Sequence, residues 1–214
     1  MQLKLMDIFR ELIIYGSVFS PLIALFAIAK AWKLNHEFFL PLYILILTSF
    51  IIDVASLILA KSGTPNLFAI NIYGIIEFAC ISALFVKMLN LKKLKFFFYT
   101  LVLLLVIQYL FSPNQINPII KVICLLIILS LCLIGFHNIY ITEENIYLEK
   151  NPLFWVMVGI LFYSSVSLFS WLLSSRIFAN NSKLFINFWI FHNIANISKN
   201  FLFALGIWRI KPTY

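Results

Sequence analysis

The chain has 214 residues, of which 63% are hydrophobic and 11% are charged, whereas about 25% of the residues in an average soluble domain are charged. So few polar side chains cannot cover a globule in water, and the composition therefore excludes an ordinary soluble domain and indicates a protein dissolved in lipid. The formal net charge of +8 does not predict a nucleic-acid partner, because the basic residues lie mainly in the loops between apolar runs, as they do in membrane proteins.

Seven apolar runs follow one another along the chain, and each is close to the roughly 20 residues that a helix needs to cross a bilayer. Apolar and polar residues do not alternate within them, as they would in the strands of a membrane barrel. The first run contains Ala27-Ile28-Ala29, which is similar to a signal-peptide cleavage site, but its length favours a span. The sequence therefore predicts an all-α, seven-transmembrane-helix bundle forming a single domain over residues 1–214, with spans at about 12–29, 38–60, 67–89, 96–112, 119–140, 153–175 and 184–208.

Lysine and arginine near the ends of the spans predict the orientation, since cytoplasmic loops are enriched in both. Nine basic residues fall on one side of the bundle: Lys30, Lys33, Lys87, Lys92, Lys93, Lys95, Lys150, Arg209 and Lys211. Six fall on the other side: Lys4, Arg10, Lys61, Lys121, Arg176 and Lys183. This excess places the N-terminus outside and the C-terminus in the cytoplasm.

The last span carries an unusual number of polar residues within "NFWIFHNIANISKNFLF". His192, Asn196 and Lys199 are spaced at i, i+4 and i+7, and Asn193 and Asn200 extend the same stripe. At about 100° per residue these five side chains share one face of a helix. Because a charged side chain in the bilayer costs roughly 2.5–3.5 kcal/mol, the stripe is expected to face the interior of the bundle.

Two carboxylates are the expected partners of this stripe. From a rise of about 1.5 Å per residue, Asp53, Glu77 and His192 lie roughly 10–15 Å from the outer ends of their spans, and Lys199 lies about 22 Å deep. The three shallower residues are therefore predicted to form a pocket that is open toward the outside. The predicted ligand-binding residues are Asp53, Asn71, Tyr73, Glu77, His192, Asn193, Asn196 and Lys199.

Other polar residues receive structural interpretations. Span 6 contains several serines and Tyr163, and side chains of these types commonly form hydrogen bonds between membrane helices. Cys80, Cys124 and Cys132 lie within spans at spacings that fit neither a disulfide framework nor a metal site, and are interpreted as small apolar side chains. An echo between Asn71/Tyr73 in span 3 and Asn187/Trp189 in span 7 leaves open a parallel internal repeat.

The pocket favours a sensor or receptor module that binds a small ligand or a proton and passes helix movement to a separate cytoplasmic signalling protein, with no cofactor. A small proton-coupled transporter that uses the same carboxylates is the first alternative. A membrane-embedded lipid enzyme using Asp53, Glu77 and His192 is a further alternative, although the chain has no zinc-ligand spacing, nucleophile elbow or phosphate loop.

Seven spans, an outer N-terminus and Lys199 in the last span resemble the microbial rhodopsins. The resemblance implies retinal bound to Lys199, with Glu77 as its counterion and aromatic side chains of span 6 around it. The chain departs from the family pattern at Ala195, where an acidic residue is usual, at Glu77-Phe78, and in the lack of a proline in span 6.

The segments "NIYGIIEF", "FWVMVGILFYSSVSLFSW" and "FHNIANISKNFLFALGIW" resemble a group of small, uncharacterised seven-span membrane proteins of Bacteroidetes type. The resemblance covers nearly the whole chain and implies a multi-pass protein of the bacterial inner (cytoplasmic) membrane. It implies a fold and no activity, and it assigns no site residues.

Overall fold

The computed structural model describes residues 2–31, 36–112, 117–142, 147–177 and 182–210. These residues form eight α-helices, two short 3₁₀ turns and no strand, which confirms the all-α prediction for this part of the chain. The helices are α1 (Gln2–Phe19), α2 (Pro21–Ala31), α3 (His36–Lys61), α4 (Leu67–Met88), α5 (Lys95–Phe111), α6 (Pro118–Thr142), α7 (Pro152–Ile177) and α8 (Ser182–Trp208). Lys33 and Lys211, and the side chains of Lys4, Arg176, Lys183 and Asn187, lie outside the described residues.

Six helical segments of the described chain are long and apolar enough to cross a membrane: Ile8–Ala31, Phe39–Lys61, Leu67–Met88, Lys92–Phe111, Pro118–Ile141 and Pro152–Leu173. They indicate a multi-pass membrane protein. Helix α8 has 27 residues and is long enough, but its polar stripe lowers its mean hydropathy below that of the other six.

The first apolar segment is not the single helix that the span 12–29 implied. Pro21 begins a new helix because it has no N–H to donate to the carbonyl oxygen of Ser17, four residues earlier. The Ser20 hydroxyl donates to that carbonyl instead, at 2.8 Å. The break is therefore satisfied within the chain, as a helix interruption inside a bilayer must be.

Helices α7 and α8 pack antiparallel and very closely. Gly159 of α7 faces the carbonyl oxygen of Lys199, and Gly206 of α8 faces the carbonyl oxygen of Pro152. Glycine lets two membrane helices approach each other at the backbone, where the gain from packing is largest. This contact fixes the positions of the α7 and α8 side chains that line the site.

The ends of several helices meet on one side of the bundle. The Lys30 ammonium at the end of α2 lies 3.6 Å from the ring centroid of Trp208, which ends α8. Arg209 lies over the ring of Trp155, near the start of α7, at 5.2 Å. Helix α8 therefore ends beside the end of α2.

Candidate functional site

The bundle contains a partly open cavity of about 170 Å³, lined by side chains of α1, α3, α4, α6, α7 and α8. Tryptophan, isoleucine, leucine and phenylalanine side chains form part of its wall, and polar groups converge on it from several helices. Six of the predicted site residues line it: Asp53, Tyr73, Glu77, His192, Asn193 and Asn196. The predicted meeting of the two carboxylates with the α8 stripe is therefore present, whereas ligand binding by these residues stays a prediction.

Asp53 is held by side chains of two helices. Its Oδ2 atom accepts a hydrogen bond from Ser49, one turn earlier in α3, at 3.4 Å. It accepts another from the Asn196 amide of α8, also at 3.4 Å. The same amide group donates to the Ser17 hydroxyl of α1 at 3.0 Å. Asn196 thus joins the carboxylate to the helix that breaks at Pro21.

Glu77 belongs to a chain of hydrogen bonds that begins at Lys199. The Lys199 ammonium donates to the Tyr73 hydroxyl at 3.1 Å, and that hydroxyl donates to Glu77 Oε1 at 3.2 Å. The ammonium also lies 3.9 Å from the ring centroid of Tyr163, within the range of a cation–π interaction. Lys199 is only 2% exposed and does not line the cavity, so it supports the cavity wall from behind.

His192 contacts hydroxyl groups of α7. Its Nε2 atom lies 3.4 Å from the Tyr163 hydroxyl, and its Nδ1 atom lies 3.3 Å from the Ser167 hydroxyl. Its ring stacks on Trp189, with centroids 5.1 Å apart and planes 22° apart. The sequence predicts His192 beside the two carboxylates, and the three side chains do line the same cavity. The hydroxyl contacts of the imidazole, however, come from α7.

Two asparagines of the stripe carry buried amide atoms that have no hydrogen-bond partner among the described residues. Asn193 lines the cavity and is 8% exposed, and no described group accepts a hydrogen bond from its Nδ2 atom. Asn200 donates to the Ser20 hydroxyl at 2.8 Å, while no described donor binds its Oδ1 atom. Buried polar atoms of this kind are uncommon, and each calls for an explanation.

Asn71 is the predicted site residue that the structure places elsewhere. It lines a smaller neighbouring cavity of about 40 Å³ between α4, α5 and α6, with Gln108 and Tyr109. Asn71 and Tyr73 are two residues apart in α4, and a separation of about 200° around a helix directs them to different neighbours.

Lys121 is the site residue that sequence reasoning missed. It lies at the start of the predicted span 119–140, and the sequence therefore groups it with the basic residues near the span ends on the outer side of the bundle. In the structure it lines both cavities, and its ammonium lies against Gly74 of α4, where any Cβ would collide with it. A glycine in a helix, such as Gly74, can indicate that another group approaches the backbone closely. The sequence, however, does not show that this group is Lys121.

In the described part of the chain, no group of three or more His, Cys, Asp and Glu side chains is placed to hold a metal ion. No protein-family model matches the sequence, and no curated protein or solved structure is similar to it. The geometry of the cavity is thus what supports an assignment of function.

Proposed function

We propose that this protein is a seven-transmembrane-helix receptor or sensor that binds a small polar ligand in the cavity between α3, α4, α6, α7 and α8. The joined helices α1 and α2 form the first crossing and α8 forms the seventh. The N-terminus is outside, and the cytoplasmic ends act on a separate signalling protein. The observation that carries this proposal is the convergence of Asp53, Glu77, Lys121 and His192 on one cavity within an apolar bundle.

Placing an ionisable side chain in a bilayer costs free energy, and such residues commonly line substrate or ligand sites. Packing between helices is satisfied by serine and asparagine alone and does not require an open cavity with charged walls. A mixed apolar and polar wall is also the usual character of a small-molecule site.

The hydrogen bonds of α8 provide a route from ligand to helix movement. Asn196 joins Asp53 to Ser17, and Asn200 binds Ser20 at the α1–α2 break. A ligand group that competes for Asp53 changes the partners of Asn196, and with them the contacts of the break. The end of α2 packs beside the end of α8, so movement at the break reaches one face of the membrane.

A matched pair of serine variants of α7 tests ligand binding. Ser170 lines the cavity, whereas Ser165 is exposed on the outside of the bundle; each hydroxyl bonds the carbonyl oxygen four residues earlier, at 2.8 Å. The purified full-length chain in lipid nanodiscs is screened against small polar metabolites for a rise in melting temperature. We expect Ser170→Phe to abolish the rise and Ser165→Phe to retain it. Equal responses in the two variants would place binding outside the cavity.

A proton-coupled transporter is the second candidate, and the Lys199–Tyr73–Glu77 chain of hydrogen bonds favours it. Such a chain can pass a proton between an internal lysine and a carboxyl group at the cavity. Proteoliposomes loaded with a pH-sensitive dye distinguish the two functions. Saturable, ligand-dependent proton uptake that is lost in Tyr73→Phe supports transport, and binding without any flux supports a receptor.

A further inference from the structure

The four charged side chains around the cavity fall into two groups. Lys199 is connected to Glu77 through the Tyr73 hydroxyl, so these two opposite charges are joined within the protein. Asp53 on α3 and Lys121 on α6 line the cavity outside this chain of hydrogen bonds, although Lys199 acts electrostatically on Asp53 and Glu77 on Lys121. The described structure shows no hydrogen bond or ion pair between Asp53 and Lys121.

Among the described residues, no acidic side chain forms an ion pair with the Lys121 ammonium, and Glu77 acts on it without direct contact. An ammonium group can donate three hydrogen bonds, and no described side chain accepts one from Lys121. It lies in the space left by the absent side chain of Gly74, between the two cavities. A cation in this position is stabilised by an anionic group that enters the cavity.

Asp53 presents the complementary group. Ser49 and Asn196 both donate to its Oδ2 atom, and no described donor binds its Oδ1 atom. One carboxylate oxygen is thus available to a ligand cation.

Asn193 gives an independent indication that this cavity takes a ligand. Its Nδ2 atom is buried with no acceptor in the part of the chain that the structure describes, and the residue lines the cavity wall. A buried amide donor without an acceptor costs about 1–3 kcal/mol, a cost that an acceptor on a bound ligand removes.

From these observations we infer that the ligand is a small zwitterion of amino-acid type, whose ammonium binds Asp53 and whose carboxylate binds Lys121. This inference rests on the proposed ligand-binding function and names the chemical class of the ligand. A zwitterion brings an opposite charge into direct contact with both Asp53 and Lys121, whereas a simple amine or a simple acid contacts only one of them.

The unmodified protein provides the first test. Glycine, β-alanine and longer ω-amino acids are titrated into the full-length chain in nanodiscs by calorimetry, beside n-alkylamines and n-alkanoates of the same length. This series varies the distance between the two charges. We expect at least one amino acid to bind about 30-fold or more tightly than its matched amine and acid, since leaving one member of a buried charge pair unpaired costs at least that much.

Variants then assign each charge to its partner. Asp53→Asn is expected to bind the zwitterion no better than the matched acid, and Lys121→Gln no better than the matched amine. Gly74→Ala keeps the lysine but displaces its ammonium, and should weaken binding of the zwitterion and of the matched acid while leaving the matched amine unchanged. The exposed residues Glu149 and Lys87 supply the controls Glu149→Gln and Lys87→Gln. These controls should leave the affinities for the zwitterion, the matched acid and the matched amine unchanged.

The outcomes separate this inference from the proposed function. If compounds bind and Ser170→Phe blocks them, but amines, acids or uncharged molecules bind as tightly as zwitterions, the inference is wrong and the receptor remains. If no compound of the series or of the metabolite screen binds, both are wrong. Because the selectivity is measured on the unmodified chain, a variant that fails to fold does not remove the test.

Discussion

Substituting Gly206 by alanine should separate α7 from α8, because the added methyl group meets backbone. A Cβ at Gly206 would lie 2.7 Å from the carbonyl oxygen of Pro152 and 2.9 Å from Cγ2 of Val156. The first distance is about 0.7 Å short of the 3.4 Å at which ordinary contact begins. A backbone carbonyl in a helix cannot rotate away, so the helices themselves must move.

The expected cost is about 1–3 kcal/mol in the free energy of unfolding, as for other insertions into a well-packed interior. The same movement lengthens contacts across this interface that are already long, including the 3.4 Å approach of Tyr163 to His192, and brings them beyond hydrogen-bonding distance. Ligand affinity should therefore fall together with stability.

Gly16→Ala is the matched control. Its Cβ would lie 3.3 Å from Cδ1 of Ile197, which is the end of a side chain that can turn aside. Unfolding of each variant is followed by tryptophan fluorescence during titration with sodium dodecyl sulfate. If Gly206→Ala is as stable as Gly16→Ala and as the unmodified chain, the α7–α8 contact is not as close as described and the reasoning is refuted.

Four other variants or additions test the site. Asn196→Leu should lower the free energy of unfolding by about 1 kcal/mol, because two hydrogen bonds between membrane helices, worth about 0.6 kcal/mol each, are lost; the same titration measures it. His192→Phe should keep the aromatic stacking but weaken ligand binding in calorimetry, since its two hydroxyl contacts disappear, whereas the exposed His137→Phe should not. Glu77→Gln should abolish the ligand-dependent rise in melting temperature, because it removes the charge that balances Lys199. All-trans retinal should leave the visible spectrum unchanged, because the Lys199 ammonium is engaged with tyrosine side chains.

Each of these expectations has a clear contrary result. Unchanged stability in Asn196→Leu would mean that its hydrogen bonds contribute nothing. Equal binding by the two histidine variants would remove His192 from the site, and a full response in Glu77→Gln would remove Glu77. A red-shifted band with retinal that is lost in Lys199→Met would support the photoreceptor alternative.

The break between α1 and α2 at Pro21 is a feature that the hydropathy pattern does not predict. The apolar run around it is continuous, and hydropathy cannot distinguish one long helix from two consecutive helices. The stereochemistry of proline predicts an interruption, and Ser20, which bonds the freed carbonyl oxygen, directly precedes Pro21. The asparagines of α8 that bind Ser17 and Ser20 are about 180 residues away in the sequence.

The sequence by itself determined the solvent of this protein, its helical class, and the face of α8 that is polar, because each follows from local composition and a period of 3.6 residues. It also indicated that Asp53 and Glu77 need partners, since carboxylates in a bilayer do. Only the tertiary structure decided which partners they have. Lys121 reaches the cavity because Gly74 leaves space for it on another helix, and His192 turns to the hydroxyls of α7 because two glycines bring that helix close. Both outcomes depend on distances between helices, which no single segment encodes.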